Sequence, residues 1–275
     1  MAETELSRVG DEWAPQGIDP TVPSIARTYD YLIGGKDNFA VDRAVGDTIK
    51  ERLPGAVAIA VENRRVLGRA VRRLVQDAGL RQLIDIGSGL PTADNVHQVA
   101  HRHAPDTRVL YVDNDPIVLA HGRALLDEDD RTTVIQADIR EPQAILEHEA
   151  TRKLIDFDRP VGVVLCAILH HLLDEEDPVG IVRTLRDAVP SGSHFFITHF
   201  RREDTPEAEQ IEGMLQQAFG RGRWRTDTEI AELFEGLEIV EPGILPLVQW
   251  NPDEPLNREP TVWERLIVGG IGRKP

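Results

Sequence analysis

Leu83-Ile84-Asp85-Ile86-Gly87-Ser88-Gly89 reads as an apolar strand running into a glycine turn, with Thr92 just beyond it as the start of a helix. Glycines at such a turn let the backbone approach a ligand closely. They also place it at the carboxyl edge of a first strand, where open α/β sheets bind their ligands. A dinucleotide fingerprint would ask for a third glycine at position 92, but the sequence continues Leu90-Pro91-Thr92. A pyrophosphate cradle therefore loses support.

Outward from this stretch, short apolar runs alternate with helix-length polar segments, the pattern of βαβ units and a parallel sheet. The runs are Gln82 to Ile86, Val109 to Val112, Thr133 to Ile135, Val161 to Leu165 and His194 to Thr198. Helices are expected to begin near Thr92, Pro116, Pro142, Asp177 and Pro206, where prolines and capping residues mark first turns. Two later runs, Leu237 to Val240 and Trp263 to Val268, are joined by the Pro- and Asn-rich stretch Pro242 to Pro260 with no convincing helix between them. Without a crossover helix they should pair antiparallel.

Before the sheet, residues 1–20 are polar and carry Pro15, Gly17 and Pro20, which predicts a flexible arm. Residues 21–78 read as an N-terminal helical cap. It ends in an amphipathic stretch with Leu67, Val71, Leu74 and Ala78 on one face and Arg65, Arg69, Arg72 and Arg73 on a solvated one. Within the cap, Tyr29-Asp30-Tyr31-Leu32-Ile33-Gly34-Gly35-Lys36-Asp37-Asn38-Phe39 mixes aromatic, glycine and amide groups as a lid or ligand-contacting segment would. Gly35-Lys36 is no phosphate loop, because the spacing is wrong and Asp37 follows. Residues 79–275 form the core domain.

Composition narrows the partners. Of 275 residues 41% are hydrophobic and 28% charged, enough for a sizeable core, and 31 Lys and Arg against 47 Asp and Glu give a formal charge of −16. Such a field repels nucleic acid. A single cysteine, Cys166, leaves no intrachain disulfide and no multi-cysteine zinc site. The first residues lack a basic and then apolar leader, and no apolar run is long enough to span a membrane, so a cytoplasmic protein without a membrane partner is expected. The acidic run Asp127-Glu128-Asp129-Asp130 reads as a solvated helix end.

Two more strand ends carry chemistry. Asp113 closes the run Val109-Leu110-Tyr111-Val112, where a carboxylate can accept hydrogen bonds from two ribose hydroxyls; the alternative is a turn aspartate capping the helix at Pro116, a task that Asn114 or Asp115 could also fill. Asp138-Ile139 follows the third strand, where an acid can bond an adenine amino group and the apolar side chain can cover the ring. Three successive strand ends thus describe a nucleoside pocket without a phosphate clamp. S-adenosylmethionine, whose sulfonium and ammonium suit carboxylates, is such a ligand. The fourth run delivers His170 and His171 to the same edge, where a methyl acceptor would sit.

The chain resembles class I S-adenosylmethionine-dependent methyltransferases, and more narrowly the actinobacterial S-adenosyl methyltransferase family. The resemblance covers about residues 20–274 and rests on Pro23-Ser24-Ile25-Ala26-Arg27, the segment Tyr29 to Phe39, Asp85 to Thr92, Tyr111-Val112-Asp113-Asn114-Asp115-Pro116 and His170-His171-Leu172. Ser88 stands where many members have threonine. The resemblance implies a Rossmann-like, seven-stranded α/β sheet with an antiparallel last strand, in agreement with the two late runs. The cofactor set expected on this basis is Tyr29, Tyr31, Asn38, Asp85, Gly87, Ser88, Gly89, Asp113, Asn114, Asp138 and Ile139. For Tyr29 and Tyr31 a plain core role in the cap is the alternative.

Methyl transfer from a sulfonium is an in-line displacement, so holding acceptor, methyl carbon and sulfur collinear in a dry site is the main task. A hydroxyl acceptor would also use a base, for which His170 or His171 is the candidate and His199 a weaker one. Packing and backbone bonding are the competing roles for these histidines. Cys166, inside an apolar strand, reads as an inert buried thiol, and His97 and His101 as surface histidines rather than metal ligands. The expected activity is methylation of a small molecule. The alternatives are a non-catalytic S-adenosylmethionine-binding module and an NAD(P)-dependent oxidoreductase; the short-chain form of the latter needs Tyr-x-x-x-Lys, which Tyr29, Tyr31 and Tyr111 do not provide.

Overall fold

The computed structural model describes residues 6–9, 12–15, 18–92, 94–126, 130–203 and 205–275. Its elements are β1 (Leu6–Val9), β2 (Glu12–Pro15), α1 (Ile25–Leu32), α2 (Ala40–Arg52), α3 (Ala56–Gln76), β3 (Gln82–Ile86), α4 (Val96–His103), β4 (Arg108–Asp113), α5 (Pro116–Leu126), β5 (Thr132–Gln136), α6 (Pro142–Glu147) and α7 (Glu149–Leu154). These are followed by β6 (Gly162–Cys166), α8 (Pro178–Ala188), β7 (His194–Phe200), α9 (Pro206–Phe219), α10 (Asp227–Glu232), β8 (Glu238–Ile239), β9 (Leu245–Pro246), α11 (Val262–Arg265) and β10 (Ile267–Arg273).

The main sheet runs β5-β4-β3-β6-β7-β10-β8, with the two-residue β9 also on β10. β3 to β7 are mutually parallel, and β10 runs antiparallel to β7, β8 and β9. Counting the two short strands separately gives eight. They share the outer edge of β10, so the sheet is seven strands wide, with the reversed ending expected.

Period-two alternation splits the apolar side chains of each strand between two layers. Leu83, Val109, Val164 and Phe196 pack with α3 and α4 on one face, while Ile84, Leu110, Val163 and Phe195 pack with α6 and α8 on the other. Burial on both faces is why these strands read as continuous apolar runs. The same alternation puts Asp85 on the face of Leu83, beneath α3.

Several expectations need correction. β10 starts at Ile267, not Trp263, because Thr261 and Glu264 close a capping box that turns Val262–Arg265 into a helical turn. Its continuation to Arg273 was hidden by glycines; a Cβ on Gly269 would sit 2.8 Å from Thr198 and 2.9 Å from Leu247, so close packing requires the bare backbone. α4 begins at Val96 rather than Thr92, since Asn95 accepts the Thr92 amide at 2.9 Å and forms a capping box with Gln98. Within the segment expected to be a loose arm, β1 and β2 pair antiparallel, with Leu6 opposite Pro15. Arg69 is not on a solvated face: it is 6% exposed and bonds Glu62 and the carbonyls of Leu247 and Trp250. Of the acidic run, residues 127–129 lie outside the described residues, and Asp130 is exposed.

The cap is tied down by a buried ion pair. Arg27 Nε meets Asp42 Oδ2 at 2.7 Å, and the same carboxylate accepts the Ser24 and Phe39 amides at 2.9 Å. Ser24 Oγ donates to Asp115 at 2.5 Å, joining the cap to the tip of β4. Among the described residues, no helix is long and apolar enough to cross a membrane.

Candidate functional site

One cavity of about 360 Å³ opens where the carboxyl ends of β3 to β6 meet the cap and α9. Its size falls in the range of small-molecule sites. From β3 come Asp85, Gly87, Ser88 and Gly89, from β4 Asp113 and Asn114, from β5 Asp138 and Ile139, from the turn after β6 His170 and His171, and from α1 Tyr29. Tyr31 and Asn38 do not line it. The Tyr31 hydroxyl donates to Asp47 at 2.7 Å and Lys50 sits over its ring, while Asn38 donates to Asp30 at 2.8 Å and to the Gly35 carbonyl at 3.2 Å. Both bond within the N-terminal helical segment.

Gly87 and Gly89 have φ of +73° and +66°, the left-handed region. At Gly87 a Cβ would also lie 2.7 Å from Ile168, so any side chain meets both backbone strain and a clash. The turn they form aims the Gly89 amide at Asp113 Oδ2, 2.8 Å away, and Asp113 Oδ1 accepts the Asp115 amide at 3.0 Å. The carboxylate keeps acceptor capacity for a ligand. Capping of α5 falls to Asp115, which accepts the Ile117 amide at 3.0 Å, so the cap reading of Asp113 is displaced.

Electrostatics differ along the row of carboxylates. Asp85 is 3% exposed, and burial pushes its carboxyl up to about 7, with Arg64 pulling it down and Asp113 adding repulsion. Burial also raises Asp113, against the amides that stabilise its charge. Asp138, by contrast, is lowered to about 2 because Arg140 bonds it, at 2.9 Å and 2.5 Å. Asn114 donates to Asp138 at 3.4 Å.

The histidines are held neutral. Burial and the charges of His171, His199 and Arg225 press His170 well below its usual range, and burial with Arg221 lowers His171 to about 4. His199 is pulled down to about 3 by burial and does not line the cavity. Its Nδ1 lies 2.7 Å from the Phe200 carbonyl and its Nε2 3.1 Å from Arg225, which fixes the tautomer with the proton on Nδ1. His97 and His101 are occupied too, by the Tyr111 hydroxyl and the Thr107 carbonyl, each at 2.8 Å.

Several lining residues were missed in the sequence. Arg64 points its Nη2 to Thr92 Oγ1 at 2.5 Å, and its Nε is buried without a protein partner. The signal was its place between Ala60 and Leu67, on the apolar stripe of α3. Thr28 Oγ1 and His170 Nδ1 are likewise buried and unpartnered. Asn63 accepts from Thr198 Oγ1 at 3.1 Å and from Cys166 Sγ at 3.4 Å and donates to the Tyr29 hydroxyl at 3.3 Å. Burial pushes Tyr29 and Cys166 both up to about 12, so Cys166 is a hydrogen-bonded thiol and not a nucleophile.

Ala167, next along, holds φ of +57° at the cavity wall, with its amide on Thr198 Oγ1 at 2.8 Å. A left-handed alanine costs about 1–2 kcal/mol, partly cancelled in glycine by its larger unfolded-state entropy. Ala167→Gly is therefore expected to stabilise the fold by about 0.5–1 kcal/mol in urea unfolding. A loss of stability would show that Ala167 is not strained.

The sequence profile of the S-adenosyl methyltransferase family matches residues 11–275. A Thermobifida fusca YX protein with a provisional methyltransferase designation shares 44% identity and superposes with a TM-score of 0.91, over 94% of this chain and 98% of that one. A DUF574 family protein from Streptomyces avermitilis MA-4680 shares 40% identity, with a TM-score of 0.88 over 92% of this chain and 98% of the other. Carboxy-S-adenosyl-L-methionine synthase of Pseudomonas syringae pv. syringae (strain B728a) is 27% identical over 205 residues, 74% of this chain and 76% of that protein.

Proposed function

Because the chain belongs to the S-adenosyl methyltransferase family, we propose that it moves the methyl group of S-adenosylmethionine to a small-molecule acceptor in the cytoplasm. The observation that carries this reading is the single cavity that gathers Gly87 to Gly89, Asp113, Asp138 and His170 from four successive strand ends. In the same proposal residues 1–20 form an arm, 21–78 the cap and 79–275 the catalytic core.

The donor set suits the cofactor. Asp113 offers lone pairs for ribose hydroxyls and Ile139 an apolar cover for adenine, while Asp138, which takes two donors on each oxygen from Arg140 and Asn114, would exchange one of them for the adenine amino group. Asp85 and Arg64, of opposite charge, complement the ammonium and carboxylate of the methionine part. When bound, the sulfonium supplies a methyl carbon whose bond to sulfur breaks as the acceptor lone pair forms the new one, leaving a neutral thioether and a proton to be shed by an O–H or N–H acceptor. His170 and His171, kept uncharged, can take a hydrogen bond from that group without setting a second cation beside the sulfonium. Cap residues Tyr29, Leu53 and Ile59 wall the cavity with largely apolar surface, which would keep the reaction dry.

Two measurements test the reading. Calorimetric titration with S-adenosylhomocysteine should show one site per chain, and incubation with methyl-labelled cofactor and a small-molecule extract should give a labelled small product. His170→Ala is expected to keep cofactor affinity within about threefold while labelling falls about tenfold or more. Binding without any label transfer would overturn the enzymatic reading in favour of a binding module.

A further inference from the structure

We propose that the part of the cavity beyond the β6 and β7 tips is built for a ring-bearing hydrophobic acceptor without an anionic group, an inference that rests on the methyltransferase reading above. Its walls are Leu53 and Ile59 from the cap, Leu215 and Phe219 from α9, and the aromatic pair Phe200 and Trp224. Phe200 and Trp224 stack at 4.8 Å with an 8° interplanar angle, and His170 meets Phe200 edge-on at 4.7 Å. A flat ring extends such an aromatic wall with favourable offset or edge contacts.

Charge argues against an anionic acceptor. Among the described residues lining this side, the cation is Arg221, and Glu176 already holds it at 2.5 Å. Glu212, which accepts the Trp224 amide at 2.8 Å, adds a negative charge to this side. A carboxylate or phosphate on the acceptor would lose its hydration without gaining a free counter-charge, on a chain whose formal charge is −16. His170 offers a polar contact. His170 is 4% exposed and its Nδ1 has no protein partner, so a single hydroxyl or ring N–H can be satisfied there while the rest of the acceptor stays apolar.

The probes are 2-naphthol and 2-naphthoate, which share a ring system and differ in charge at neutral pH. Both are titrated calorimetrically into wild-type protein saturated with S-adenosylhomocysteine, and 2-naphthol also into Leu215→Trp, which fills the chamber from α9. The expected result is one 2-naphthol per chain, bound about tenfold or more tighter than 2-naphthoate. In Leu215→Trp that affinity should fall by about tenfold while S-adenosylhomocysteine affinity stays within about threefold, which also certifies the variant as folded. Equal or tighter binding of 2-naphthoate overturns the acceptor class, and so does absence of 2-naphthol binding up to about 1 mM on the loaded wild-type protein. Failure of S-adenosylhomocysteine itself to bind overturns the methyltransferase reading first and this inference with it, so the two failures are told apart by one titration.

Discussion

Asp113→Ala is expected to weaken S-adenosylhomocysteine binding by about 10- to 100-fold, the effect of losing charge-assisted hydrogen bonds totalling about 1–3 kcal/mol. Two effects add. The carboxylate offers its remaining lone pairs to a vicinal diol, and it also holds the glycine turn, since Gly89 donates to Oδ2 at 2.8 Å and Asp115 to Oδ1 at 3.0 Å. Alanine removes the ligand contact and releases the turn together. Asp113→Asn is milder, because an amide keeps one acceptor for the turn and sets its NH2 against the other turn amide, while removing the charge offered to the diol. Calorimetry on both variants checks the assignment: unchanged affinity in Asp113→Ala would mean that the ribose lies elsewhere, whereas loss in alanine with full retention in asparagine would mean that the carboxylate charge is not what the ligand meets.

The strands that position Asp113 were readable because burial on both faces leaves an unbroken apolar run with an obvious end, and ligand-facing groups gather at those ends. The walls of the cavity were not readable in the same way. Leu53, Ile59 and Leu67 face a chamber, but in the sequence a residue lining a cavity has the same apolar periodicity as one packed in a core. Arg64 shows the gap most clearly. A stripe of Ala60, Arg64, Leu67 and Val71 on α3 contains a cation where an apolar residue belongs, a local inconsistency of the kind that marks functional positions. Off the stripe, Arg69 is buried against the loop that follows β9.

Tyr31 and Asn38 stand outside the cavity lining for a different reason. Their segment looks chemically rich, yet much of that chemistry is spent internally. Asp30 accepts from the Asp37 amide at 2.9 Å and from Asn38 at 2.8 Å, and Gly35 bonds the Asp30 carbonyl at 2.8 Å. A lid has to hold its own shape before it can cover anything, and sequence alone does not separate residues that fix a turn from those that face a ligand. Tyr29 faces the cavity while its hydroxyl is fixed by the Ala60 carbonyl at 2.8 Å.

Asp85→Asn should make the free protein more stable and the cofactor complex weaker. The unfolded carboxyl ionises near 3.8 and the buried one near 7. Between those values the folded state holds a proton that the unfolded state has lost, so stability declines as pH rises, and above about 7 the whole penalty of a buried carboxylate stands. A shift of that size corresponds to about 4 kcal/mol; asparagine escapes the penalty but leaves Arg64 without its carboxylate neighbour, so a net gain of about 2 kcal/mol at pH 8 is expected in urea unfolding, vanishing near pH 4. Binding runs the other way. In wild type a cationic ligand needs the ionised carboxylate, so its uptake expels a proton below pH 7, and affinity for S-adenosylmethionine should drop about tenfold for each pH unit from 7 to 5.5. In Asp85→Asn affinity at pH 8 should be about tenfold lower or worse, and this slope should disappear. Equal affinity and an equal slope in the variant would show that Asp85 does not meet the cofactor's positive charge, and a variant less stable than wild type at pH 8 would show that its carboxylate is paired in a way that offsets its burial.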